Sequence, residues 1–407
     1  VVIWRDGPYR VNQVLPFSAV YSWYPEKLWE FMARYEEKSG VEILAIPHNG
    51  NLSNGQMYAE TVKGKRMTRD YAERRARWEP LFEVTQAKGD GETHPILSPE
   101  DEFADFETWD FGDSFGNPKE NGQLQYEYAR STLMNGLRLS DKLGANPFKY
   151  GMIGSTDSHV SLSTTREDNW FGKLPNGEPS AERSSAVFVR DSKTGEARVS
   201  DWELSAAGLA AVWAKDNTRE AIFDALARKE VYATTGSRLT VRIFGGWDFE
   251  PDEVERHDFA RTGYARGVPM GGDLTNGPDG KAPSFMIRAL RDPDNANLDR
   301  VQVIKGWLDG NETHERIYDV ACSDDRAIVN RRCEREVGST VNVADASYTN
   351  TIGDPLLTAH WVDPDFDPDQ RAFYYVRVIE IPKPRWTAYD AKFYGIDLPD
   401  DVRMTTQ

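Results

Sequence analysis

Apolar residues in the first half of the chain recur with helical and strand-like spacing in turn. Leu28, Phe31, Met32 and Tyr35 follow the i, i+3, i+4, i+7 spacing of an amphipathic helix, and Gly40 can end it. The same patterns predict helices near 70–78, 125–143 and 217–229, and strands at 41–46, 81–86 and 148–154. Helix and strand thus alternate three times, which is typical of a parallel sheet or barrel. We therefore predict an α/β domain over residues 1–238.

The pattern changes at about Leu239, where short runs of alternating polarity begin. These runs predict strands at 239–244, 284–290, 301–307, 316–320 and 372–379. Turn-forming residues such as Asp292, Pro293 and Asn295 separate them. The pattern is typical of an antiparallel β-sandwich, which we assign to residues 239–383. Residues 384–407 have an irregular, aromatic pattern, and we expect this tail to contact the first domain.

Two of the six histidines follow apolar, strand-like runs. His48 follows 41–46, while Asp157 and His159 follow 148–154. Enzymes with parallel sheets gather their functional groups at the carboxyl ends of strands. Residues two apart in a strand point to one side, so Asp157 and His159 can share a site if the strand continues past Thr156. Imidazole and carboxylate groups suit a divalent metal, although a single histidine is more often a structural residue.

The same rim would carry Gln86 at the end of the predicted strand 81–86. A long segment from 87 to 122 follows, and such loops in compact domains tend to be functional. It contains Lys88, Glu92 and His94. His94 has three possible roles, as a metal ligand, as a proton donor to a leaving group or as the cap of a turn. Gln86 and Lys88 are candidates for binding a substrate.

Three further polar residues are substrate-binding candidates. Asn49 opens an asparagine-rich segment, which favours tight turns and also brings amides to the rim. Arg5 and Arg238 flank predicted strand ends and can hold an oxyanion through two hydrogen bonds. A surface arginine or one paired with a carboxylate is the alternative for each.

The charge of the chain limits its partners. It has 407 residues, 49 Lys and Arg against 66 Asp and Glu, and a formal net charge of −17. This acidity argues against nucleic acid, which requires a basic surface. It remains compatible with a small anionic substrate, since a bound cation reverses the local field. No apolar run approaches the 18 residues that indicate a transmembrane helix.

Cys322 and Cys333 are the two cysteines of the chain. They can close a loop between two strands as a disulfide, or they can be unrelated reduced thiols. A disulfide would indicate a periplasmic or secreted protein, and free thiols a cytoplasmic one. The chain starts at Val1 with strand-like residues and no initiator methionine. We expect it to be the carboxyl portion of a longer protein, with the missing amino-terminal segment as a partner.

Four segments carry a resemblance to a known family. They are Ile46–Asn49, Gly154–His159, Tyr232–Gly236 and Phe373–Val378. In combination they resemble the bacterial "domain of unknown function 3604" family across nearly the whole chain. That family is similar to the PHP (polymerase and histidinol phosphatase) metal hydrolases. The resemblance implies a distorted (β/α)7 barrel, partial in this chain, with two or three zinc, manganese or iron ions and phosphoester hydrolysis.

The resemblance extends to individual residues. His48 matches the single histidine of the third PHP motif, and Asp157 with His159 matches the D-x-H of the fourth. The first motif (H-x-H) and the second (T-D-H type) have no counterpart here. The resemblance thus implies an incomplete metal cluster in this polypeptide. The β-rich part is not a standard PHP feature.

These observations lead to one main hypothesis and two alternatives. The main hypothesis is a metal-dependent phosphomonoesterase or phosphodiesterase acting on a small molecule, with His48, Asp157 and His159 as ligands and His94 and Glu92 as catalytic groups. The first alternative is hydrolysis of another ester, an amide or a lactone. The second is a secreted carbohydrate-binding protein without catalysis, in which some of the twelve tryptophans would stack on sugars.

Overall fold

The first part of the computed structural model, which describes residues 1–206 and 208–406, mixes helices with short strands. The helices are α1 (Pro8–Val11), α2 (Pro25–Ser39), α3 (Arg69–Trp78), α4 (Ala129–Leu143) and α5 (Arg219–Ala227). The strands are β1 (Val2–Trp4), β2 (Ile43–Ala45), β3 (Thr61–Val62), β4 (Lys65–Arg66), β5 (Leu81–Gln86), β6 (Gly89–Asp90), β7 (Gly151–Gly154), β8 (Val187–Arg190), β9 (Ala197–Ser200), β10 (Leu209–Val212) and β11 (Val231–Thr234). The α/β class expected from the sequence is confirmed.

Helix α2 illustrates how the apolar spacing determines local structure. Pro25 lies in its first turn, where the missing N–H costs nothing. Gly40 follows the helix with φ +67°, a left-handed conformation that glycine adopts easily. Trp29, Met32 and Tyr35 are buried on one face. The predicted helix is confirmed at both ends.

Strands β5 and β7 pair in parallel, as the order of elements predicts. The β2 strand differs, because its backbone pairs antiparallel with β1. It reaches the β5–β7 sheet through side chains, with Leu44 and Ile46 buried against Leu81, Ile153 and Val231. The sheets are small, and none of those formed by the described residues closes into a barrel.

The second part contains two larger antiparallel sheets and a short two-stranded one among its described residues. Its elements are β12 (Thr240–Gly246), α6 (Phe259–Arg266), β13 (Gly267–Pro269), β14 (Ser284–Leu290), β15 (Leu298–Asp309), β16 (Glu312–Cys322), β17 (Ile328–Val329), β18 (Arg332–Cys333), β19 (Leu356–Val362) and β20 (Arg371–Glu380). One sheet has the order β13-β12-β14-β19 and the other β16-β15-β20. Ile287 of β14, Val301 and Val303 of β15 and Ala359 of β19 share a core, so the two sheets pack face to face.

The carboxyl-terminal tail, expected to be irregular, contains helix α7 (Trp386–Tyr394). Trp386 is fully buried with Leu52, Trp109 and Trp170 of the first part. Several positions around the helix are buried, so the amphipathic spacing that reveals a surface helix is weak here. The tail therefore contacts the first part of the chain through a helix.

Cys322 and Cys333 form a disulfide, which decides between the two alternatives that the sequence left open. It ties the end of β16 to β18. Among the helices of residues 1–206 and 208–406, none combines the length and the apolar character needed to cross a bilayer.

Candidate functional site

The carboxylate of Asp157 brings two histidines and two lysines together. Its Oδ1 lies 3.2 Å from Nε2 of His159 and 3.5 Å from Nε2 of His48. Its Oδ2 accepts a 2.6 Å hydrogen bond from Nζ of Lys173 and another from Nζ of Lys88. One oxygen therefore faces imidazole nitrogens and the other faces ammonium groups.

Asp157 does not continue the strand that precedes it. Strand β7 ends at Gly154, and Asp157 has φ +50°, in the left-handed region. The strand therefore does not continue past Thr156, which was the condition for strand alternation to direct Asp157 and His159 to one side. Contacts with a neighbouring loop do this instead, because Nζ of Lys173 also donates to the carbonyl of Asp157 at 2.6 Å. The carbonyl of Lys173 in turn accepts from the backbone N–H of His159 at 2.7 Å.

Glu83, on strand β5, orients His48. Its Oε2 lies 2.7 Å from Nδ1 of His48 and accepts the backbone N–H of Asn49 at 3.1 Å. Its Oε1 accepts the hydroxyl of Ser155 at 2.5 Å. Burial opposes the ionisation of Glu83, but the hydrogen bonds from His48, Ser155 and Asn49 outweigh it and lower its pKa. The charged carboxylate holds the Nδ1 proton and leaves Nε2 directed at Asp157.

Three of the predicted substrate-binding residues lie together beside this cluster. The amide of Gln86 donates to Oδ1 of Asn49 at 2.7 Å and accepts the backbone N–H of Lys88 at 3.0 Å. Asn49 has φ +64°, as the turn interpretation of its asparagine-rich segment expects. Gln86, Asn49 and Lys88 thus lie near His48 and Asp157 at the ends of β2, β5 and β7.

The two lysines give the site a concentrated positive charge. Burial, followed by the neighbouring Lys173, lowers the pKa of Lys88 to about 7, and burial lowers that of Lys173 to about 8. The charge of Lys173, followed by partial burial, also lowers the pKa of His159.

A buried ion pair supports the loop that follows His48. Glu127, fully buried, accepts the backbone N–H groups of Ser53 at 3.1 Å and Gly55 at 3.0 Å. Lys119 pairs with Glu127 at 2.6 Å and donates to the carbonyl of Asn51 at 2.6 Å. Hydrogen bonds from this buried pair to its backbone therefore hold the loop after His48 in place.

The two predicted catalytic residues lie in other contacts. Nδ1 of His94 accepts the backbone N–H of Ile96 at 3.1 Å, and its Nε2 lies 3.3 Å from Asp110. Glu92 pairs with Arg130 at 2.7 Å and accepts the hydroxyl of Tyr375 at 2.5 Å. Within the described residues, no hydrogen bond joins His94 or Glu92 to the Asp157 cluster.

The two predicted substrate-binding arginines are also separate from the cluster. Arg5 pairs with Asp224 at 2.7 Å and with Glu42 at 3.3 Å, beside the start of β2. That end of the strand is opposite the one that leads to His48. Arg238 is exposed, and its backbone N–H donates to Asp292 at 2.8 Å.

Sequence reasoning missed Glu83 and Lys173. Glu83 had a signal, because it is a charged residue within the buried strand Leu81–Gln86. Lys173 had none, since it lies in an irregular segment and reaches Asp157 only through the tertiary fold.

The donors at Asp157 are of the kinds that bind a divalent ion, but they do not all lie within 4.8 Å of one another. Two imidazole nitrogens approach a single carboxylate oxygen, and Glu83 holds the far side of the His48 ring, as carboxylates commonly do for metal-binding histidines. Lys88 and Lys173 occupy the second oxygen, so Asp157 offers one oxygen to an ion.

In the part of the chain that the structure describes, the group of three possible ligands whose donor atoms all lie within 4.8 Å of one another is elsewhere. It consists of Asp319, Cys322 and Cys333, and its two sulfur atoms are consumed by the disulfide. A disulfide sulfur lacks the thiolate charge that binds zinc. This set is therefore not a metal site in the oxidised protein.

Comparison with known proteins identifies the family. The family model described as "Protein of unknown function (DUF3604)" matches residues 1–407, so the chain belongs to this family. No curated protein and no solved structure matches it.

Proposed function

We propose that this member of the DUF3604 family is a metal-dependent hydrolase of phosphate monoesters or diesters. The observation that carries the proposal is that the two oxygens of the Asp157 carboxylate contact different kinds of groups. One of its oxygens faces the nitrogens of His48 and His159, and the other faces the ammonium groups of Lys88 and Lys173. A cation site and an anion site therefore lie on two sides of one carboxylate.

His48, Asp157 and His159 would hold the ion, with Glu83 fixing the His48 ring. A zinc, manganese or iron ion at these ligands would polarise a phosphoryl oxygen and make a nearby water more acidic. Glu83 keeps Nε2 of His48 available by holding the proton on Nδ1. Binding one ion would bring the donor atoms of His48, Asp157 and His159 closer together, since they do not all lie within 4.8 Å of one another.

Lys88 and Lys173 would bind the phosphoryl group. Their ammonium groups are largely buried, and attraction between charges is stronger there than in water. They share a single carboxylate, so an incoming anion gains the positive charge that Asp157 leaves uncompensated. The amides of Asn49 and Gln86 lie beside them and would orient the rest of the substrate.

A relation to the PHP hydrolases forms part of the same proposal. In this proposal His48 would correspond to the histidine of the third PHP motif, and Asp157 with His159 to the D-x-H of the fourth. The parallel pairing of β5 and β7 is compatible with a segment of such a barrel. A second or third ion would need ligands beyond these three residues.

The direct test measures hydrolysis by the full chain with and without added zinc, manganese or iron(II). The substrates are 4-nitrophenyl phosphate, bis(4-nitrophenyl) phosphate, 4-nitrophenyl sulfate and 4-nitrophenyl acetate. We expect turnover of a phosphate ester that a chelator abolishes and the metal restores. Turnover that resists the chelator would overturn the metal mechanism, and a preference for the acetate or the sulfate would overturn the phosphoester assignment.

Variants locate the activity. We expect His48→Ala and His159→Ala to lower kcat/KM by about 100-fold or more, since each removes a ligand. His257→Ala is the matched control, because His257 is exposed and lies in the second part of the chain. Lys88→Met or Lys173→Met should chiefly raise KM for the phosphate substrate. Equal activity in the His257→Ala and His48→Ala proteins would place the chemistry elsewhere.

A further inference from the structure

A cavity that is separate from the Asp157 cluster lies between the two parts of the chain. Its volume is about 850 Å³, within the range of small-molecule sites. One wall is formed by Met152 of β7 and Tyr232 and Ala233 of β11, and the other by Phe373 and Ile379 of β20. These apolar side chains are partly exposed, and β20 lies at the edge of its sheet, so no strand of that sheet pairs with its outer side.

One end of this cavity is positively charged. Lys149 and Lys229 lie there, just before the first residues of β7 and β11. Lys149 forms an ion pair with Asp273. Within residues 1–206 and 208–406, the ammonium group of Lys229 has no hydrogen-bond partner. Two positive charges therefore face one negative charge.

The backbone holds Lys229 in a conformation that usually belongs to glycine. It follows helix α5 with φ +64°, and the N–H of Glu230 donates to the carbonyl of Ala225 at 3.0 Å. Glycine or asparagine is usual at this position of a helix end, because a left-handed L-residue costs roughly 1–2 kcal/mol. The lysine is thus kept here at a cost to the fold.

The surrounding residues leave room for this lysine. A Cβ atom on Gly151 would lie 2.9 Å from Cβ of Lys229, and one on Gly271 would lie 2.3 Å from its carbonyl oxygen. Only glycine fits at either position without displacing the Lys229 backbone. Burial, followed by the charge of Lys149, lowers the pKa of Lys229. A bound anion would relieve both the repulsion and the lack of a partner.

We propose that this cavity binds an elongated amphiphilic anion, with its apolar body between β11 and β20 and its carboxylate or phosphate head at Lys229 and Lys149. The two lysines lie at the amino ends of the strands, whereas the Asp157 cluster lies past their carboxyl ends. Along and beside β11, six of the seven residues from Lys229 to Thr235 line the cavity, all except Glu230, over a distance of roughly 20 Å at the usual rise of a strand. The inference does not depend on the proposed hydrolase activity.

Calorimetric titration of the full chain with three probes of equal chain length tests the proposal. Dodecanoate carries a carboxylate, dodecyl phosphate carries a phosphate, and dodecanol carries no charge. Each is used below its critical micelle concentration. We expect saturable binding of at least one of the two anions, at least tenfold tighter than that of dodecanol, and the stronger of the two identifies the head group. Equal affinity for the anions and dodecanol, or no binding, would overturn the proposal.

Lys229→Gly is the decisive variant, because glycine suits the backbone at this position and the protein should fold at least as stably. We expect its affinity for the preferred anion to fall tenfold or more and its affinity for dodecanol to stay unchanged. Lys215→Gln is the control, since Lys215 is an exposed lysine outside the cavity lining. Ala233→Phe fills the cavity and should weaken all three probes. An unchanged anion affinity in a folded Lys229→Gly protein would overturn the assignment.

Discussion

Glu83 holds Nδ1 of His48 at 2.7 Å, and the opposite nitrogen of the same ring lies 3.5 Å from Oδ1 of Asp157. The imidazole therefore lies between two carboxylates that belong to different segments of the chain. Glu83 lies within β5, whereas Asp157 follows β7. The parallel pairing of these two strands sets the position of the histidine between them.

This relationship makes Glu83→Gln an informative change. The amide has nearly the same size but lacks the charge that holds the Nδ1 proton, so the ring can rotate or change tautomer. We expect zinc affinity, measured by calorimetric titration, to fall about 10–100-fold, as is typical when the partner of a metal-binding histidine is lost. Glu60→Gln is the control, because Glu60 pairs with Arg138 away from this cluster. Unchanged zinc affinity would show that Glu83 does not position a ligand.

Gly154→Ala should displace the end of β7, which leads to Asp157. A Cβ atom there would lie 2.7 Å from the carbonyl oxygen of Leu209 and 3.0 Å from that of Thr234. Strand β7 would have to move away from β10 and β11, which would displace Ser155 and Asp157. We expect a loss of about 2–3 kcal/mol in the free energy of unfolding, measured with urea. Gly122→Ala is the control, since nothing lies within 4 Å of a Cβ there.

Buried ion pairs between the two parts of the chain should make stability depend on acid pH. Burial opposes the ionisation of Asp101, but hydrogen bonds and charge from Arg377, together with the charge of Arg130, hold its pKa below the usual range. A carboxyl group whose pKa is lower in the folded state stabilises the fold above about pH 4, its ordinary pKa. This contribution is lost as the pH falls from there through the lower, folded-state pKa.

Asp101→Asn tests this contribution. We expect it to lower the free energy of unfolding by about 3 kcal/mol at pH 7, because it removes a buried carboxylate that pairs with both Arg130 and Arg377. The difference from the unchanged protein should shrink as the pH falls from 4 toward 2. Asp105→Asn is the control, since Asp105 is exposed. A difference that stays constant with pH would contradict the expected linkage.

Removal of the Cys322–Cys333 disulfide should weaken the second part of the chain. The bridge closes a short loop, with a sequence separation of 11. A bridge across a loop of this size restricts the unfolded chain and so adds about 3 kcal/mol to the free energy of unfolding. We expect the Cys322→Ala, Cys333→Ala double variant to melt at a lower temperature, measured by calorimetry. A reducing agent should lower the melting temperature of the unchanged protein alone. A response of the double variant to the reductant would contradict this explanation.

The sequence predicted some parts of the site better than others. His48, Asp157 and His159 were found because they follow apolar runs, and the ends of buried strands gather polar groups. Gln86 was found for the same reason, whereas Asn49 was chosen from its asparagine-rich segment and Lys88 from the long loop after Gln86. His94 and Glu92 were chosen from a long loop, and the structure places both in other hydrogen bonds. A loop follows no periodic pattern, so its sequence does not indicate where its side chains point.

The sequence by itself determined helices α2 to α5, the apolar strands β2, β5 and β7 and the change to antiparallel sheets near residue 239, because each depends on side-chain periodicity over a few neighbours. The tertiary structure decided that Lys173 reaches Asp157, that Glu83 holds His48 and that Lys229 faces an open cavity. It also decided that β2 pairs with β1 rather than with the β5–β7 sheet. These contacts join residues far apart in the chain, and they form only when buried surfaces from several elements pack together.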